Sequence, residues 1–155
     1  MKRRTFLKSG LVASVATVAA GAGLLTPQAV LAAWPKQAFE SKDVKSAMTA
    51  IAGGDAPASS DKIKFENTPD IAENGAVVPV AVSVDMDGVE SISIFAAGNQ
   101  SPLLASFKLG DTTLPYVSTR IKMAKTADVI ALVKAGGKLY SAKKQVKVTI
   151  GGCGG

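Results

Sequence analysis

The sequence predicts a mainly β protein, an immunoglobulin-like antiparallel β-sandwich with an N-terminal helical segment before it and a flexible C-terminal arm after it. Segments in which apolar and polar residues alternate recur between residues 63 and 150, and glycine-containing turn dipeptides separate them. Short strands at this spacing are typical of a sandwich. Apolar residues make up 47% of the 155-residue chain, which is enough to build a core without a disulfide. The Cys–Trp–Cys pattern of antibody domains is missing, so the similarity concerns architecture only.

Residues 1–32 predict a twin-arginine (Tat) export signal. Lys2-Arg3-Arg4-Thr5-Phe6-Leu7-Lys8 supplies the positive start, an Ala- and Gly-rich apolar run extends from Leu11 to Leu25, and the small residues at Ala32 and Ala33 suit cleavage. The twin-arginine route carries folded proteins, so we expect a mature chain in the periplasm. The alternative is an uncleaved membrane anchor, which Pro27 disfavours because it interrupts the apolar run.

Composition excludes several classes of function. Cleavage removes four of the eighteen basic residues and leaves fourteen against twelve acidic ones, so the net charge falls from +6 to about +2. Such a small excess gives no support for nucleic-acid binding. Histidine is absent, which excludes Ser-His-Asp and Cys-His catalytic pairs and any histidine-ligated zinc within this chain. We therefore expect no cofactor and no metal site.

The mature chain is predicted to begin with a helix from Trp34 to about Ala52. Apolar residues recur there at intervals of three to five, Pro35 suits a first helical turn, and Gly53-Gly54 suits a helix end. The helix either covers a sheet, as apolar stripes usually do, or leads the chain onto a partner that Trp34 and Phe39 would anchor. A loop is predicted at residues 55–61.

The rest of the mature chain is predicted to form about seven strands connected by turns. Residues 127–134 could form a short helix, but the branched residues there and the Gly136-Gly137 turn favour a hairpin. The predicted strands are Ile63–Glu66, Val77–Asp85, Val89–Ala96, Leu103–Leu109, Tyr116–Met123, Val129–Lys134 and Lys138–Ile150.

Two further motifs and one arginine are weaker functional candidates. Asp85-Met86-Asp87-Gly88 resembles the start of a calcium loop, but the later ligands are missing and turn chemistry is the better interpretation. Ala72-Glu73-Asn74-Gly75 is predicted to be a loop. Arg120, within the Tyr116–Met123 segment, either binds an oxyanion, pairs with a carboxylate such as Glu73, or makes a surface ion pair of little energetic weight.

Cys153 is the strongest functional candidate because it is the only cysteine and lies between two glycine pairs, Gly151-Gly152 and Gly154-Gly155. Glycines leave a thiol accessible on a flexible tether, and five extended residues reach about 17 Å at most. A free thiol has a pKa of about 8.5, and this sequence offers no adjacent histidine to lower it, while the nearby C-terminal carboxylate opposes ionisation. The pattern predicts a carrier thiol that becomes competent inside a partner's electropositive site, and so a protein that is not itself an enzyme.

Three alternatives to a carrier remain for Cys153. An exported protein with an odd cysteine can use it to cross-link chains, so one alternative is a structural immunoglobulin-like module with disulfide-linked dimerisation. Another is an incidental cysteine on a frayed tail. A thiol oxidoreductase has little support, because no Cys-x-x-Cys motif is present.

The sequence resembles the SoxY family, the sulfur-carrier subunits of the periplasmic thiosulfate-oxidising Sox complex. The resemblance covers nearly the whole mature chain and includes the twin-arginine signal. It is most specific in the C-terminal segment from Val146 through Gly-Gly-Cys-Gly-Gly, in Ile71–Val80 and in Thr119–Met123, and it is looser at Gly98–Leu103.

The resemblance implies a sandwich that pairs with a second immunoglobulin-like subunit, SoxZ, and that carries sulfur substrates on Cys153. It implies that a haem-containing enzyme, SoxAX, joins thiosulfate to the Cys153 sulfur, that SoxB then releases sulfate, and that a sulfane dehydrogenase, SoxCD, oxidises the remaining sulfur where it is present. The expected organisation is a signal peptide at 1–32, a helical segment and loop at 33–62, the sandwich at 63–150 and the carrier arm at 151–155.

Overall fold

The computed structural model describes residues 35–54 and 56–151 of the chain. The predicted signal peptide, Trp34 and the last four residues, which include Cys153, lie outside the described residues. Within these residues the helices are α1 (Lys36–Glu40) and α2 (Val44–Ala52). The strands of the same residues are β1 (Ala58–Ser59), β2 (Ile63–Glu66), β3 (Ile71–Asn74), β4 (Val78–Val84), β5 (Val89–Ala96), β6 (Leu103–Lys108), β7 (Tyr116–Ile121), β8 (Ala127–Ala135) and β9 (Lys138–Ile150).

Two sheets form the sandwich. The larger has the strand order β1-β9-β8-β5-β6, with β3 also paired to β9, and the smaller has the order β2-β4-β7. Their facing sides bury aliphatic residues from both sheets, among them Val80 and Val82 of β4 and Ile92 and Ile94 of β5. The predicted fold class, an immunoglobulin-like sandwich with an N-terminal helical segment, is confirmed.

Strand β9 departs from the antiparallel prediction. It pairs antiparallel with β8 over Lys138–Val146, but two shorter strands lie parallel to it. Strand β1 pairs with Tyr140 and Ser141, and β3 pairs with the last residues of β9, with Ile71 opposite Lys147 and Asn74 opposite Ile150. The loops predicted at 55–61 and 72–75 are therefore partly wrong, because each contributes a short strand to β9.

The single predicted helix is also wrong, since the chain turns between α1 and α2. Asp43 has extended backbone angles and caps α2, its carboxylate accepting a hydrogen bond of 2.8 Å from the Ser46 N–H. The C-terminal end of α2 agrees with the prediction. Gly53 adopts a left-handed conformation with φ of 76°, and its N–H bonds to the Thr49 carbonyl.

The helices cover the outer face of the larger sheet. Ala38 of α1 and Ala47 of α2 are fully buried in a second cluster with Phe95, Leu103 and Leu132. Phe39 packs against the same cluster, so it contributes to this protein's own core. The interpretation of the helical segment as a cover for a sheet is confirmed.

Candidate functional site: the root of the C-terminal arm

The structure describes Gly151, the first residue of the predicted carrier arm, which follows the last residue of β9. Cys153, Gly152, Gly154 and Gly155 lie outside the described residues. We call the arm root the backbone of Ile150 and Gly151 together with Gly75 and Ala124, which contact it, and Met123, which bonds to Gly75.

Strand β3 holds the end of β9 in place. The hydroxyl of Thr149 donates a hydrogen bond of 2.7 Å to the Glu73 carbonyl, and the Gly75 N–H donates one of 2.7 Å to the Ile150 carbonyl. Ile150 itself is 69% exposed, so the backbone is fixed here by hydrogen bonds rather than by burial of that side chain. The last residue of β9 therefore remains part of the sheet.

Gly75 links the arm root to the segment that follows β7. This residue is buried, and its carbonyl accepts a hydrogen bond of 2.7 Å from the Met123 N–H while its own N–H bonds to Ile150. Met123 is fully buried in the main core. Through Gly75 the end of β9 is joined to a rigid part of the molecule.

Gly151 lies directly against the Ala124 backbone. A Cβ atom added to Gly151 would collide with the Ala124 carbonyl oxygen, and it would also lie 3.3 Å from the Ala124 carbonyl carbon. No side-chain movement relieves a clash with backbone atoms. Gly151 is thus required for a close approach, which is a reason for glycine separate from the flexibility predicted from sequence.

Asn99 supports Ala124 from the other side. Its side-chain amide donates a hydrogen bond of 2.7 Å to the Lys122 carbonyl and accepts one of 2.9 Å from the Ala124 N–H. Asn99 is only 6% exposed. Gly98-Asn99 is one of the turn dipeptides predicted between strands, and no local signal reveals this further role of Asn99 because both bonded residues lie more than twenty residues away.

Two lysines lie on the Ala124 side of the arm root, opposite the β3 side that carries the exposed Glu73. Lys122 and Lys125 flank the Met123-Ala124 segment, both are exposed, and neither belongs to an ion pair among the described residues. A groove of about 290 Å³ lies between β6 and β7, and it is lined by Asn99, Lys122, Arg120 and apolar side chains that include Leu103 and Leu104. The side of the arm root that carries Lys122, Lys125 and the Arg120 groove therefore suits an anionic group.

Arg120 and Glu73 are not brought together. Arg120 is exposed on β7 opposite Pro79, and no ion pair in the described part of the chain joins it to Glu73. Glu73 contributes to the arm root through its backbone carbonyl, not its carboxylate. Of the alternatives for Arg120, pairing with Glu73 is thus not supported.

The calcium-like motif forms a turn between β4 and β5, with Gly88 at a positive φ of 64°. Within residues 35–54 and 56–151, no group of three or more potential metal-ligating side chains comes together. The helices of that part of the chain are also too short, or too polar, to cross a bilayer.

Comparisons with known proteins support one family. The family model described as sulfur oxidation protein SoxY matches residues 48–153. A solved structure described as the sulfur carrier protein SoxY from Chlorobium limicola f thiosulfatophilum is 45% identical, with a TM-score of 0.62 and coverage of 70% of this chain and 97% of that chain. A search among curated proteins finds no match.

A second solved structure shows how far fold similarity extends. A superoxide reductase (neelaredoxin) from Ignicoccus hospitalis has a TM-score of 0.52 and covers 59% of this chain and 94% of its own, but its identity is only 18%, so the likeness concerns the fold alone. The SoxY match, by contrast, spans more than half of the chain and is supported by a structure at 45% identity. The chain therefore belongs to the SoxY family of sulfur oxidation proteins.

Proposed function

We propose that the protein carries sulfur intermediates of thiosulfate oxidation covalently on the sulfur of Cys153. Membership of the SoxY family gives the chain a sulfur-carrier role in sulfur oxidation. The observation that carries the finer proposal is that the family match ends on residue 153, the only cysteine in the sequence. Covalent attachment of sulfur requires a thiol, and the chain has one.

The chemistry assigned to Cys153 divides between this chain and its partners. The Cys153 thiolate and one thiosulfate lose two electrons to an oxidising partner and form a sulfur–sulfur bond. Hydrolysis of the terminal sulfonate group by one water then breaks the bond between the sulfane and sulfonate sulfurs, releases sulfate and a proton, and leaves a persulfide on Cys153. A thiol at ordinary pKa needs an electropositive site to react quickly, and the chain has no histidine that would supply it. The enzymes therefore provide catalysis, and this protein provides the attachment point.

The proposed partners are those of the Sox system. A SoxZ-like immunoglobulin-fold subunit forms the heterodimer, SoxAX performs the oxidative attachment, SoxB releases sulfate and SoxCD oxidises the remaining sulfur where it occurs. The complex operates in the periplasm after export by the twin-arginine route, which accepts a folded protein together with a bound subunit.

The arm root is consistent with this role in two respects. The backbone that leads to Cys153 is attached to β3 and to Met123 through Gly75, so the thiol departs from a defined point on the sandwich. Lys122 and Lys125 lie beside that point and favour an anionic cargo such as a cysteine-bound sulfonate.

Mass spectrometry of the C-terminal peptide tests the proposal. The full chain is incubated with thiosulfate and the partner enzymes, and we expect the peptide to gain the mass of a bound thiosulfate group and, after SoxB is added, of a single sulfur. Cys153→Ser should show neither adduct and should abolish pathway flux. Finding only unmodified thiol during turnover would contradict the proposal.

The same variant separates the proposal from disulfide-linked dimerisation. If Cys153→Ser kept full pathway flux and lost only a reductant-sensitive dimer, the structural-module alternative would be correct. A dimer of the wild-type chain on a gel does not decide between the two, because a carrier thiol also cross-links when its partners are missing.

A further inference from the structure

The first glycine of the arm occupies a position where a side chain cannot fit. A Cβ at Gly151 would collide with the Ala124 carbonyl oxygen, whereas a Cβ at Gly53, Gly54, Gly136 or Gly137 would meet no atom within 4 Å. At those four positions a positive φ explains the glycine, but no such φ is recorded for Gly151. Close backbone contact is therefore the structural reason for glycine at 151.

The segment that Gly151 contacts is itself held on both sides. Asn99 bonds to the Lys122 carbonyl and to the Ala124 N–H, and the Met123 N–H bonds to the Gly75 carbonyl. Gly75 in turn donates to the Ile150 carbonyl. Asn99, residues 122–124, Gly75 and the end of β9 thus form one connected set of hydrogen bonds that ends at the Ile150 carbonyl, and the next residue, Gly151, makes the close contact with the Ala124 backbone.

We infer that Gly151 and Asn99 are positioning residues that anchor the carrier arm, so that the backbone is fixed through Gly151 and any swing of Cys153 must begin beyond it. Only Gly152 then separates Cys153 from the anchored backbone. This shortens the free part of the tether and limits the directions in which the thiol can be presented. The inference rests on the proposed function only in taking Cys153 as the cargo site.

Backbone ¹⁵N relaxation of the full chain measures the anchor directly, without sulfur substrates or partner enzymes. We expect the Gly151 amide to have an order parameter close to the rigid-backbone value of about 0.85, as Val146 in β9 should. A value below about 0.6 for Gly151 in the wild-type chain, which is typical of flexible backbone, would overturn the inference.

Gly151→Ala should release the anchor. Because the added Cβ and the Ala124 carbonyl cannot occupy the same space, we expect the amides of Ile150 and residue 151 to shift toward the flexible range. Loss of one typical hydrogen bond should make amide exchange at Gly75 and Met123 about fivefold faster. The matched control is Gly155→Ala, which also adds one methyl group to an arm glycine and should change none of these amides.

Asn99→Ala tests the same anchor by removing the side chain that holds the Lys122–Ala124 segment. It should accelerate exchange at Ala124 and raise the mobility of Gly151, while amides of the β5–β8 ladder such as Ile94 keep their protection and show that the sandwich is folded. If Gly151 kept its wild-type order parameter in both Gly151→Ala and Asn99→Ala, the anchor would not exist.

Loading of Cys153 links the anchor to function. The thiol is unaltered in Gly151→Ala, so the final amount of adduct at saturating enzyme should equal that of wild type. The rate of adduct formation at limiting carrier concentration should fall. Equal rates for the two proteins, together with a mobile residue 151 in the variant, would show that anchoring has no part in presentation. Absence of adducts in both proteins would instead contradict the proposed function and leave the relaxation result intact.

Discussion

Asn99 uses both ends of its side-chain amide to hold the Lys122–Ala124 segment. The nitrogen donates to one carbonyl and the oxygen accepts from one N–H, so its two bonding groups serve two backbone groups of the same short segment. Because Asn99 is buried, water cannot easily replace either bond. Its effect on the molecule is therefore large for a single polar residue.

Removing the Asn99 amide should destabilise the fold. Asn99→Ala leaves the Ala124 N–H and the Lys122 carbonyl without their partners, and we expect a loss of about 1–3 kcal/mol in the free energy of unfolding, measured by chemical denaturation. The neighbouring Gln100 is exposed, and Gln100→Ala should change stability by less than about 0.5 kcal/mol. Equal stability of the two variants would show that the Asn99 bonds contribute nothing net.

At the level of single residues, the sequence predicts Cys153 as the functional thiol but gives no indication of the contacts of Gly151, two residues before it. Uniqueness and flanking glycines identify a thiol without any structure. The contact between Gly151 and Ala124, by contrast, joins residues far apart in the chain, and a glycine pair beside a cysteine predicts flexibility whether or not one of the glycines is packed. Close approach of distant backbones leaves no local pattern.

Among the elements, the bounds of β9 were predicted correctly from sequence, but two of its partner strands were not. Its bounds follow from alternation and from the Gly136-Gly137 turn, and the structure has the same bounds. Its partners β1 and β3 were missed, because strands of two and four residues in polar sequence have no recognisable period. They are strands only because β9 offers open hydrogen-bonding groups on that side.

The break between α1 and α2 has a local cause that the apolar spacing concealed. Asp43 is a good N-cap, and its carboxylate bonds to both the N–H and the hydroxyl of Ser46. When a new helix starts at Val44, the Ser46 N–H in its first turn bonds to the Asp43 carboxylate, whereas in a continuous helix it would bond to a backbone carbonyl one turn earlier. The capping residue, rather than the apolar pattern, decides where α2 begins.

This cap should make the stability of the protein depend on pH. The bond from the Ser46 N–H, and after it the bond from the Ser46 hydroxyl, holds the pKa of Asp43 below its ordinary value of 3.8. Because the pKa of Asp43 is lower in the folded than in the unfolded chain, its carboxylate stabilises the fold fully at pH values above the unfolded-state pKa. This stabilisation is lost as the pH falls through the folded-state pKa. We expect the wild-type unfolding midpoint to drop more on acidification than that of Asp43→Asn, which keeps a capping oxygen but cannot ionise.

Ser46→Ala provides the control for the pH experiment. It removes the hydroxyl bond and retains the backbone bond to Asp43, so its acid sensitivity should lie between those of wild type and Asp43→Asn. Identical pH profiles for all three proteins would exclude a contribution of the Asp43 charge to stability.

For the molecule as a whole, the larger sheet is covered on both faces. Successive residues of β5 enter different clusters, with Ile94 facing the smaller sheet and Phe95 facing the helices. This explains why consecutive residues are buried in β5, over Ile92–Ala96, and in β8, over Ala131–Val133, whereas β7 alternates between buried and more exposed residues. The composition of the strands predicted a core, but not that it has two layers.

Leu132 reports on the layer beneath the helices. It is 2% exposed and packs with Phe95, Leu103 and the two buried helical alanines. Leu132→Ala should lower the free energy of unfolding by about 2–5 kcal/mol through lost burial and a cavity. Leu114 is 81% exposed, so Leu114→Ala is a matched control that should stay within about 0.5 kcal/mol of wild type in denaturant titrations. Similar losses for both variants would mean that the helices do not pack here as described.

The position of β9 between β8 and its parallel neighbours has a mechanical consequence. A partner that grips the end of the chain and pulls along the strand loads hydrogen bonds that run perpendicular to the force, so many bonds of the ladder share the tension at once. Peeling an edge strand would break such bonds one at a time. Tension applied at the end of β9 is therefore distributed over many bonds of the sandwich, and under the proposed function this keeps the fold intact while a partner enzyme holds the terminal residues.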